Sequence, residues 1–264
     1  MADGAQVHPS SVVEDGAILG EGTRIGPFCH VGSQVVLGRD CELLSHAVVA
    51  GDTVLGDGCK VFPFASIGHV PQDLKYAGEP VRLRIGVRGT FREGVTVNPG
   101  TAGDRALTQI GDDCLLLANA HVAHDCSLGD RVIFSNNVML AGHCTVGDGA
   151  ILGGGAAVHQ FSRIGRHAFI GGMAGVEGDV IPFGMALGNR AYLGGLNLIG
   201  MKRAGIPRVS IGAVRAAYKR LFDGDGTVHA QAEALLAESG DENVREIARF
   251  ALAETSRALC TPKR

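Results

Sequence analysis

A six-residue repeat runs through most of this chain and restricts what the chain can fold into. Between positions 116 and 163, every sixth residue is large and apolar, and the fifth residue of each group is small or β-branched. The large residues are Leu116, Val122, Leu128, Phe134, Leu140, Val146, Leu152 and Val158. A period of six fits neither the 3.6-residue period of an amphipathic helix nor the alternation of a plain strand. It is the period of a parallel β-helix, in which short strands stack coil upon coil.

The repeat begins at Val7 and is interrupted twice. A polar segment with two prolines breaks it at residues 68–84, and a second break covers residues 98–109. From Ile110 the hexads run without interruption to Pro182. Because three hexads make one triangular coil, residues 18 apart should lie in neighbouring coils, about 4.8 Å from each other.

The first interruption carries polar side chains that favour a function. The residues concerned are Gln72, Asp73, Lys75, Tyr76 and Glu79. Insertions in repeat proteins project from one face and often carry binding groups. The alternative is a tolerated surface insertion, and the crowding of polar groups favours a binding loop over it.

The repeat fades after Pro182, and helical patterns follow. Residues 210–222 have apolar side chains on one face of an amphipathic helix. Thr227 is placed to cap a second helix. Asp241 is placed to cap a third, which the pattern extends over residues 242–259.

These patterns divide the chain into two domains. Residues 1–191 should form an all-β domain, a parallel β-helix of hexapeptide repeats with loops at 68–84 and 98–109. Residues 192–264 should form a small α-helical domain. The 40 glycines and the absence of tryptophan suit a repeat of short strands and tight turns.

Charge and hydropathy exclude several functional classes. The net charge of −3 argues against nucleic-acid binding. The chain has no run of about 18 apolar residues, so we expect no membrane insertion. The N-terminal residues lack the basic and apolar regions of a signal peptide, which predicts a cytoplasmic protein.

The segment from Val180 to Phe222 has no aspartate or glutamate. Its basic residues are Arg190, Lys202, Arg203, Arg208, Arg215, Lys219 and Arg220. This charge is consistent with a docking surface for an acidic partner or a phosphate, and equally with a solvated helix face.

The cysteines follow the repeat. Six of the seven occupy the fifth position of a hexad, where other hexads have Ala, Thr, Ser or Val. They are Cys29, Cys41, Cys59, Cys114, Cys126 and Cys144. We expect small inward-facing hydrophobic residues here, in place of disulfides or a metal site, and no CxxC pair is present.

Four of the ten histidines lie between positions 116 and 163, and the 18-residue spacing groups them. His124, Gly142 and Gln160 should form one column, and Asp125, beside His124, is in register with His143. The residues flanking this column are His121 and His159. The spacing predicts a polar patch on one edge of the prism, and clustered titratable groups indicate a functional site.

Two chemistries suit such a patch. One is a zinc site of the γ-carbonic anhydrase type, with three imidazoles and an open position for water. The other is general-base catalysis by a neutral imidazole, which needs an oxyanion donor close by. Gly142, one coil from His124, could offer a bare backbone N–H. This use for the glycine favours acyl transfer over zinc chemistry.

Three motifs resemble one known family. AHVAHDC, LAGHCTVGDGAILGGGAAVHQF and the loop QDLKYAGEP are similar to the UDP-N-acetylglucosamine 3-O-acyltransferase family of lipid A biosynthesis. The resemblance extends over essentially the whole chain. It implies a left-handed parallel β-helix, a homotrimer with active sites between subunits, and no cofactor. The implied reaction moves an R-3-hydroxyacyl chain from acyl carrier protein to the 3-hydroxyl of UDP-N-acetylglucosamine.

The resemblance also implies residue roles. His124 matches the general base, Asp125 its orienting partner and Gly142 the oxyanion donor. Asp73 and Lys75 match residues that meet the sugar nucleotide. Residues around the sugar and acyl groups are matched by His121, His143, His159 and Gln160. The nucleotide end is matched by Asn197 and Arg203, and the end of the acyl chain by Gly172.

The chain departs from the family pattern at several of these places. Ile199 and Ala204 replace a glutamate and an arginine near the nucleotide end, and Asn98-Pro99 replaces a His-Arg pair in the second loop. Arg190 and Met173 lie where the acyl tail should end. The acyl chain length, and the choice between a 3-hydroxyl and a 3-amino acceptor, therefore stay open.

Overall fold

The computed structural model describes residues 4–263, so residues 1–3 and 264 of the two predicted domains lie outside the described residues. The chain winds into a three-sided prism of parallel sheets. Strands three hexads apart pair in register, as Gln6 with Arg24 and Met139 with Ala157 show. The parallel β-helix predicted from the period of six is therefore confirmed.

The first face, sheet A, has eleven strands. They are β1 (Gln6–Val7), β4 (Arg24–Ile25), β7 (Glu42–Leu43), β10 (Lys60–Val61), β13 (Thr90–Phe91), β16 (Leu115–Leu116), β19 (Ile133–Phe134), β22 (Ile151–Leu152), β25 (Phe169–Ile170), β27 (Gly184–Leu187) and β28 (Tyr192–Leu196). All pairs are parallel except the last, in which β27 and β28 are antiparallel.

Sheet B has nine strands and sheet C has eight. Sheet B contains β2 (Val12–Val13), β5 (His30–Val31), β8 (Val48–Val49), β11 (Ser66–Ile67), β14 (Thr96–Val97), β17 (His121–Val122), β20 (Met139–Leu140), β23 (Ala157–Val158) and β26 (Gly175–Val176). Sheet C contains β3 (Ile18–Leu19), β6 (Val36–Leu37), β9 (Asp52–Leu55), β12 (Arg82–Ile85), β15 (Leu107–Ile110), β18 (Ser127–Leu128), β21 (Thr145–Val146) and β24 (Arg163–Ile164).

The large residue of each hexad points into the prism. Phe134, Leu140 and Leu152 have no exposed surface, and each stacks on the aliphatic residue of the next coil. One coil could not bury these side chains alone, so the stacking of coils provides the hydrophobic core.

The cysteines are all free and buried, and their thiols also form hydrogen bonds. The Cys41 Sγ lies 3.2 Å from the carbonyl oxygen of Gly56, 15 residues further on. The Thr23 hydroxyl donates to Gly38 across the same spacing. The Cys and Thr side chains at the fifth position therefore also donate to the next coil, which the purely hydrophobic interpretation of the sequence did not include.

Both loops are shorter than predicted. The first covers residues 68–81, because Arg82 already begins β12, and the second covers 98–106, because Leu107 begins β15. The strand that follows each loop, β12 or β15, has four residues where a regular hexad has two, and its second residue is fully buried. These buried residues are Leu83 and Thr108. The sequence pattern does not reveal this extra length.

The regular circuit also ends earlier than predicted. Ile164 pairs with Val180 and Phe169 with Met185, so the last circuit is shorter than three hexads and the hexad frame does not reach Pro182. The C-terminal segment packs here, where Asp179 donates its backbone N–H to Ala258. The buried Ser162 hydroxyl, at the start of this last circuit, has no hydrogen-bond partner among the described residues.

Four helices follow the last strand. They are α1 (Leu198–Arg203), α2 (Arg208–Asp223), α3 (Val228–Glu238) and α4 (Glu242–Leu252). The helical region thus starts at 198, since the predicted boundary at 192 falls on β28. Thr227 and Asp241 cap α3 and α4 as predicted, whereas α1 was not predicted.

The third predicted helix is too long. It ends at Leu252 because Ala253 is extended and the chain turns back to the prism. There Leu259 forms an isolated parallel β-bridge with Asp179, and the carbonyl oxygen of Thr261 accepts a hydrogen bond from the backbone N–H of Leu193. Within residues 4–263, none of the helices has both the length and the apolar character needed to cross a bilayer.

Charged pairs fasten the helices to the prism. Arg163 pairs with the fully buried Asp179 at 2.7 Å and lies over the ring of Phe250 in α4. Arg166 forms a second pair with Glu246 of α4. The helical region is therefore docked at the last coils by two arginines from sheet C and the turn that follows it.

Replacing Leu140 with alanine tests the inward placement of the large residues. Leu140 is fully buried, whereas its neighbour Met139 is 51% exposed. We expect Leu140→Ala to lower the free energy of unfolding by about 2–5 kcal/mol and Met139→Ala by no more than about 0.5 kcal/mol. Denaturant unfolding measures both values, and equal losses would contradict the register.

Candidate active site

One corner of the prism collects both loops and the predicted catalytic turn. The loops 68–81 and 98–106 follow β11 and β14, and the turn containing His124 follows β17. These are three successive strands of sheet B. The loops lengthen the two circuits that run from Ser66 to Thr96 and from Thr96 to His121. They are therefore stacked directly beside His124.

A buried carboxylate orients His124. The Nδ1 atom of His124 lies 3.0 Å from Oδ2 of Asp125, whose side chain is fully buried while that of His124 is 13% exposed. Because an ionised carboxylate only accepts hydrogen bonds, Nδ1 carries the proton and Nε2 is left as the base. Asp125 reaches this position with a left-handed backbone, φ 58°.

Thr101 holds Asp125 from the second loop. Its backbone N–H lies 3.0 Å from both carboxylate oxygens, and its hydroxyl donates to Oδ2 at 2.6 Å. Burial alone would raise the pKa of Asp125, but the hydrogen bonds from Thr101 and His124 outweigh it and lower the pKa. Asp125 is therefore ionised at neutral pH.

Gly142 stacks directly on the His124 ring, as the spacing of three hexads predicts. A Cβ atom at this position would lie 2.6 Å from Cε1 and 2.8 Å from Nε2 of His124. Among residues 4–263, the backbone N–H of Gly142 has no hydrogen-bond acceptor. A glycine is required here because any side chain would displace the imidazole.

His143 completes the cluster. Its Nδ1 lies 2.7 Å from Asp104 and 3.9 Å from Asp125. Its ring meets His124 edge-on, with centroids 4.9 Å apart, and stacks on Phe161 at 4.5 Å. His143 therefore connects the second loop to the catalytic turn and to the coil above it.

His121 lies in the strand that precedes the turn. Its Nδ1 is 2.7 Å from the hydroxyl of Thr96. Burial, and to a smaller extent the charge of His124, lower the pKa of His121. At neutral pH this imidazole is uncharged and suited to hydrogen bonding.

A cleft of about 790 Å³ opens beside His143. The first loop contributes Asp73, Lys75, Tyr76 and Glu79, and the second loop contributes residues 101–105. The loop residues predicted to meet the sugar nucleotide, Asp73 and Lys75, thus face the same cleft as His143.

The remaining predicted residues are not all brought to this corner. His159 and Gln160 follow β23 and are exposed in the coil above, where Arg257 binds both. Gly172 follows β25 of sheet A and therefore lies at another corner of the prism. Asn197 caps α1 and donates to the carbonyl of His167, and Arg203 is exposed at the end of α1.

Three residues at this site were not predicted from the sequence. Thr101 and Asp104 lie in the second loop, which the sequence pattern predicts as an insertion at 98–109 without assigning any of its residues to the site. Arg257 lies in the C-terminal segment that the sequence pattern predicts as part of the third helix. No local pattern indicates its contact with Gln160, 97 residues earlier in the chain.

His124, Asp125 and His143 have ligand atoms within 4.8 Å of each other, which is a possible metal-binding group. The predicted zinc alternative needs three imidazoles, and among the described residues this group has two. His121 and His159 instead bond Thr96 and Arg257 through their Nδ1 atoms. The Asp125 oxygens are already held by Thr101 and His124.

Sequence comparison identifies both parts of the chain. Residues 16–51 and 107–142 match the bacterial transferase hexapeptide model of six repeats, and residues 179–260 match domain 2 of UDP-N-acetylglucosamine O-acyltransferase. The acyl-[acyl-carrier-protein]–UDP-N-acetylglucosamine O-acyltransferase of Rhizobium johnstonii is 53% identical, and the alignment covers 100% of this chain and 97% of that protein. The chain belongs to the UDP-N-acetylglucosamine O-acyltransferase family.

A second relative and two solved structures agree. The Brucella ovis protein of the same name is 52% identical over 97% of this chain and 92% of its own length. The UDP-N-acetylglucosamine acyltransferase of Campylobacter jejuni has a TM-score of 0.93 and 36% identity, covering 98% of this chain and 100% of that chain. The Moraxella catarrhalis UDP-N-acetylglucosamine O-acyltransferase has a TM-score of 0.90 and 35% identity, and the match covers 96% of this chain and 99% of that chain.

Membership of the UDP-N-acetylglucosamine O-acyltransferase family confirms the left-handed β-helix and the acyltransferase prediction. The γ-carbonic anhydrase alternative is not favoured. The roles of individual residues remain predictions, now supported by the geometry at His124.

Replacing Gly142 with alanine should separate the fold from the chemistry. The new methyl group would push the imidazole away from Asp125, and the ring can move without disturbing the coil. We expect the unfolding midpoint to stay near that of the unmodified protein and turnover to fall by about 10²-fold, the scale of a lost general base.

Gly154→Ala is the matched control for the fold. Gly154 occupies the same position in its hexad, and a methyl group added there would meet nothing closer than 3.4 Å. A Gly142→Ala enzyme with full activity would contradict the stacking of the glycine on the base.

Thr101→Val tests the hydrogen bond that holds Asp125. A lowered pKa in the folded state adds stability above the ordinary carboxyl pKa of about 3.9, and this stability is lost as the pH falls through the folded-state value. We therefore expect Thr101→Val to be less stable by about 1–3 kcal/mol at pH 7, and this difference to shrink progressively as the pH falls below about 4.

The control for this pH series is Thr108→Val. The buried Thr108 hydroxyl has no partner among the described residues, so its loss should have no pH-dependent effect. Unfolding measured from pH 7 to pH 3 tests both variants. A Thr101→Val deficit that persists unchanged at pH 3 would rule out this role for the hydroxyl.

Proposed function

We propose that this protein transfers an R-3-hydroxyacyl chain from acyl carrier protein to the 3-hydroxyl of UDP-N-acetylglucosamine, the first step of lipid A biosynthesis. The observation that carries the proposal is the spatial arrangement of Asp125, His124 and Gly142. Buried Asp125 fixes the His124 tautomer, and Nε2 of His124 lies against the bare backbone of Gly142. A base and an oxyanion donor are thus adjacent on successive coils.

The reaction follows from this arrangement. Neutral His124 takes the proton from the sugar hydroxyl through Nε2 while the oxygen attacks the thioester carbonyl. The resulting oxyanion receives a hydrogen bond from the backbone N–H of Gly142, and Asp125 stabilises the imidazolium. When the tetrahedral intermediate collapses, the carbon–sulfur bond breaks and the thiolate takes the proton back from His124. An ester and a free carrier thiol are the products.

The loops supply the acceptor site in this proposal. Lys75 of the first loop and Arg105 of the second place positive charge in the cleft beside His143, where the diphosphate of a sugar nucleotide would be stabilised. Asp73 and the uncharged His121 would hydrogen-bond the sugar hydroxyls. Positioning by these groups lowers the entropy cost of bringing acceptor and thioester together.

The donor would dock on the helical region, where five basic residues of α1 and α2 are exposed. These are Lys202, Arg203, Arg208, Arg215 and Lys219. Arg215 and Lys219 border a groove of about 530 Å³ with Leu196, Leu198 and Tyr218, which could receive an acidic protein with apolar side chains at its contact surface.

The proposal includes a cytoplasmic homotrimer. Gly172, Asn197 and Arg203 lie away from the corner that holds His124, so a neighbouring subunit would have to bring them to the substrate. Light scattering should give a mass three times that of the single chain. A stable monomer with full activity would remove the intersubunit site from the proposal.

An acyl-transfer assay tests the function directly. Acyl carrier proteins loaded with 3-hydroxyacyl chains of several lengths are supplied with UDP-N-acetylglucosamine or with its 3-amino analogue, and products are identified by mass spectrometry. An ester on the sugar nucleotide is expected. An amide from the amino analogue alone would move the assignment to that acceptor, and no transfer from any donor would reject it.

His124→Gln should lower turnover by at least about 10²-fold, because glutamine cannot accept the proton that the reaction must move. The folded protein should remain, since the imidazole makes no contribution to the core. His229→Gln is the control, because His229 is exposed on α3. Turnover near that of the unmodified protein in the His124 variant would exclude it as the base.

A further inference from the structure

The C-terminal tail returns an arginine to the active-site corner. After α4 the chain pairs with the last coil, where Leu259 bridges Asp179 and Cys260 is buried. This return places Arg257 over the turn that follows β23, one coil above His143. The contact joins residues almost a hundred positions apart, so it depends on the docking of the tail.

Arg257 makes two hydrogen bonds to this turn. Its Nε donates to the carbonyl oxygen of Gln160 at 2.9 Å, and its Nη2 lies 2.6 Å from Nδ1 of His159. A guanidinium has five N–H donors and no acceptor. Nδ1 of His159 also lies 3.3 Å from the carbonyl oxygen of Gln160, but that oxygen already accepts from Nε of Arg257 and the contact to Nη2 is much shorter. Nδ1 of His159 therefore accepts from Arg257, and in the neutral ring the proton sits on Nε2.

The turn held by Arg257 lies directly on the catalytic cluster. Phe161 donates its backbone N–H to the carbonyl of Gly142 at 3.1 Å, and its ring stacks on His143. The guanidinium thus fixes the residue just before the ring that packs against the cluster. It also presents His159 as an Nε2–H donor on the exposed side of the prism.

We propose that Arg257 is a positioning residue for acceptor binding, acting through His159 and the Gln160 turn. This rests on the proposed function, because the acceptor is the molecule that His159 would meet. Without the guanidinium, His159 can rotate and carry its proton on either nitrogen. Its hydrogen bond to a substrate oxygen is then weakened, while His124, Asp125 and Gly142 keep their arrangement.

The kinetic test separates this role from a structural one. We expect Arg257→Ala to raise the KM for UDP-N-acetylglucosamine roughly tenfold, the scale of one hydrogen bond, with kcat changed less than about threefold. Arg257→Lys keeps a donor for one of the two acceptors and should recover part of the loss. In a His159→Ala background, the Arg257 substitution should cost less than in the unmodified protein, because only the contact with the Gln160 carbonyl is left to lose.

Arg166→Ala is the matched control for domain docking. Arg166 also fastens the helical region to the prism, through Glu246, but it contacts neither His159 nor Gln160. We expect it to lower the unfolding temperature and leave the acceptor KM unchanged. If Arg166→Ala reproduces the KM change, or if Arg257→Ala binds the acceptor normally, the proposal is wrong.

A spectroscopic readout tests the contact without any transfer activity. In protein labelled with ¹⁵N-histidine, the His159 signals, assigned by comparison with His159→Gln, should show Nε2–H with an unprotonated Nδ1. Arg257→Ala should shift them toward a mixture of tautomers. An unchanged spectrum would overturn the proposal even in an active enzyme, whereas failure of the acyl-transfer assay with the expected spectrum would count only against the proposed reaction.

Discussion

The pairing of each coil with the next is the interaction on which everything else in this protein depends. Most of the strands have only two residues and are too short to be stable alone, and only the parallel ladder through successive coils gives them hydrogen bonds on both sides. The same ladder stacks Phe134 on Leu152 and Leu140 on Val158, which excludes water from the interior. The backbone at the corners is fixed by this stacking, and the loops and the tail then hold individual side chains there, as Thr101 holds Asp125.

The candidate site combines a regular turn of the repeat with one inserted loop. The fourth position of many hexads is left-handed, a conformation that aspartate and asparagine adopt more easily than most residues. At Asp125 the second loop closes over this turn and supplies Thr101, so the carboxylate is both buried and ionised. Gly142 on the following coil leaves space for the imidazole. The proposed base, its carboxylate partner and the proposed oxyanion donor thus come from a regular repeat plus one loop.

The sequence predicted the repetitive features well because each depends on a fixed spacing. The stacking of Gly142 on His124, and of His143 beside Asp125, followed from the length of three hexads. Features that depend on distant contacts were missed. Arg82 and Leu107 begin strands because they pair with other coils, and α4 ends at Leu252 because the tail binds Asp179. Thr101, Asp104 and Arg257 belong to the site through tertiary contacts that no local pattern records.

The two long circuits have a consequence for how such a protein diversifies. Each contains more chain between its paired positions than a regular circuit does, yet the strands after them return to the ladder without distortion. The scaffold tolerates added chain at this corner because each excursion begins and ends at the same edge. The length and content of these loops can therefore change the cleft beside His143 while the paired strands that support it keep their register.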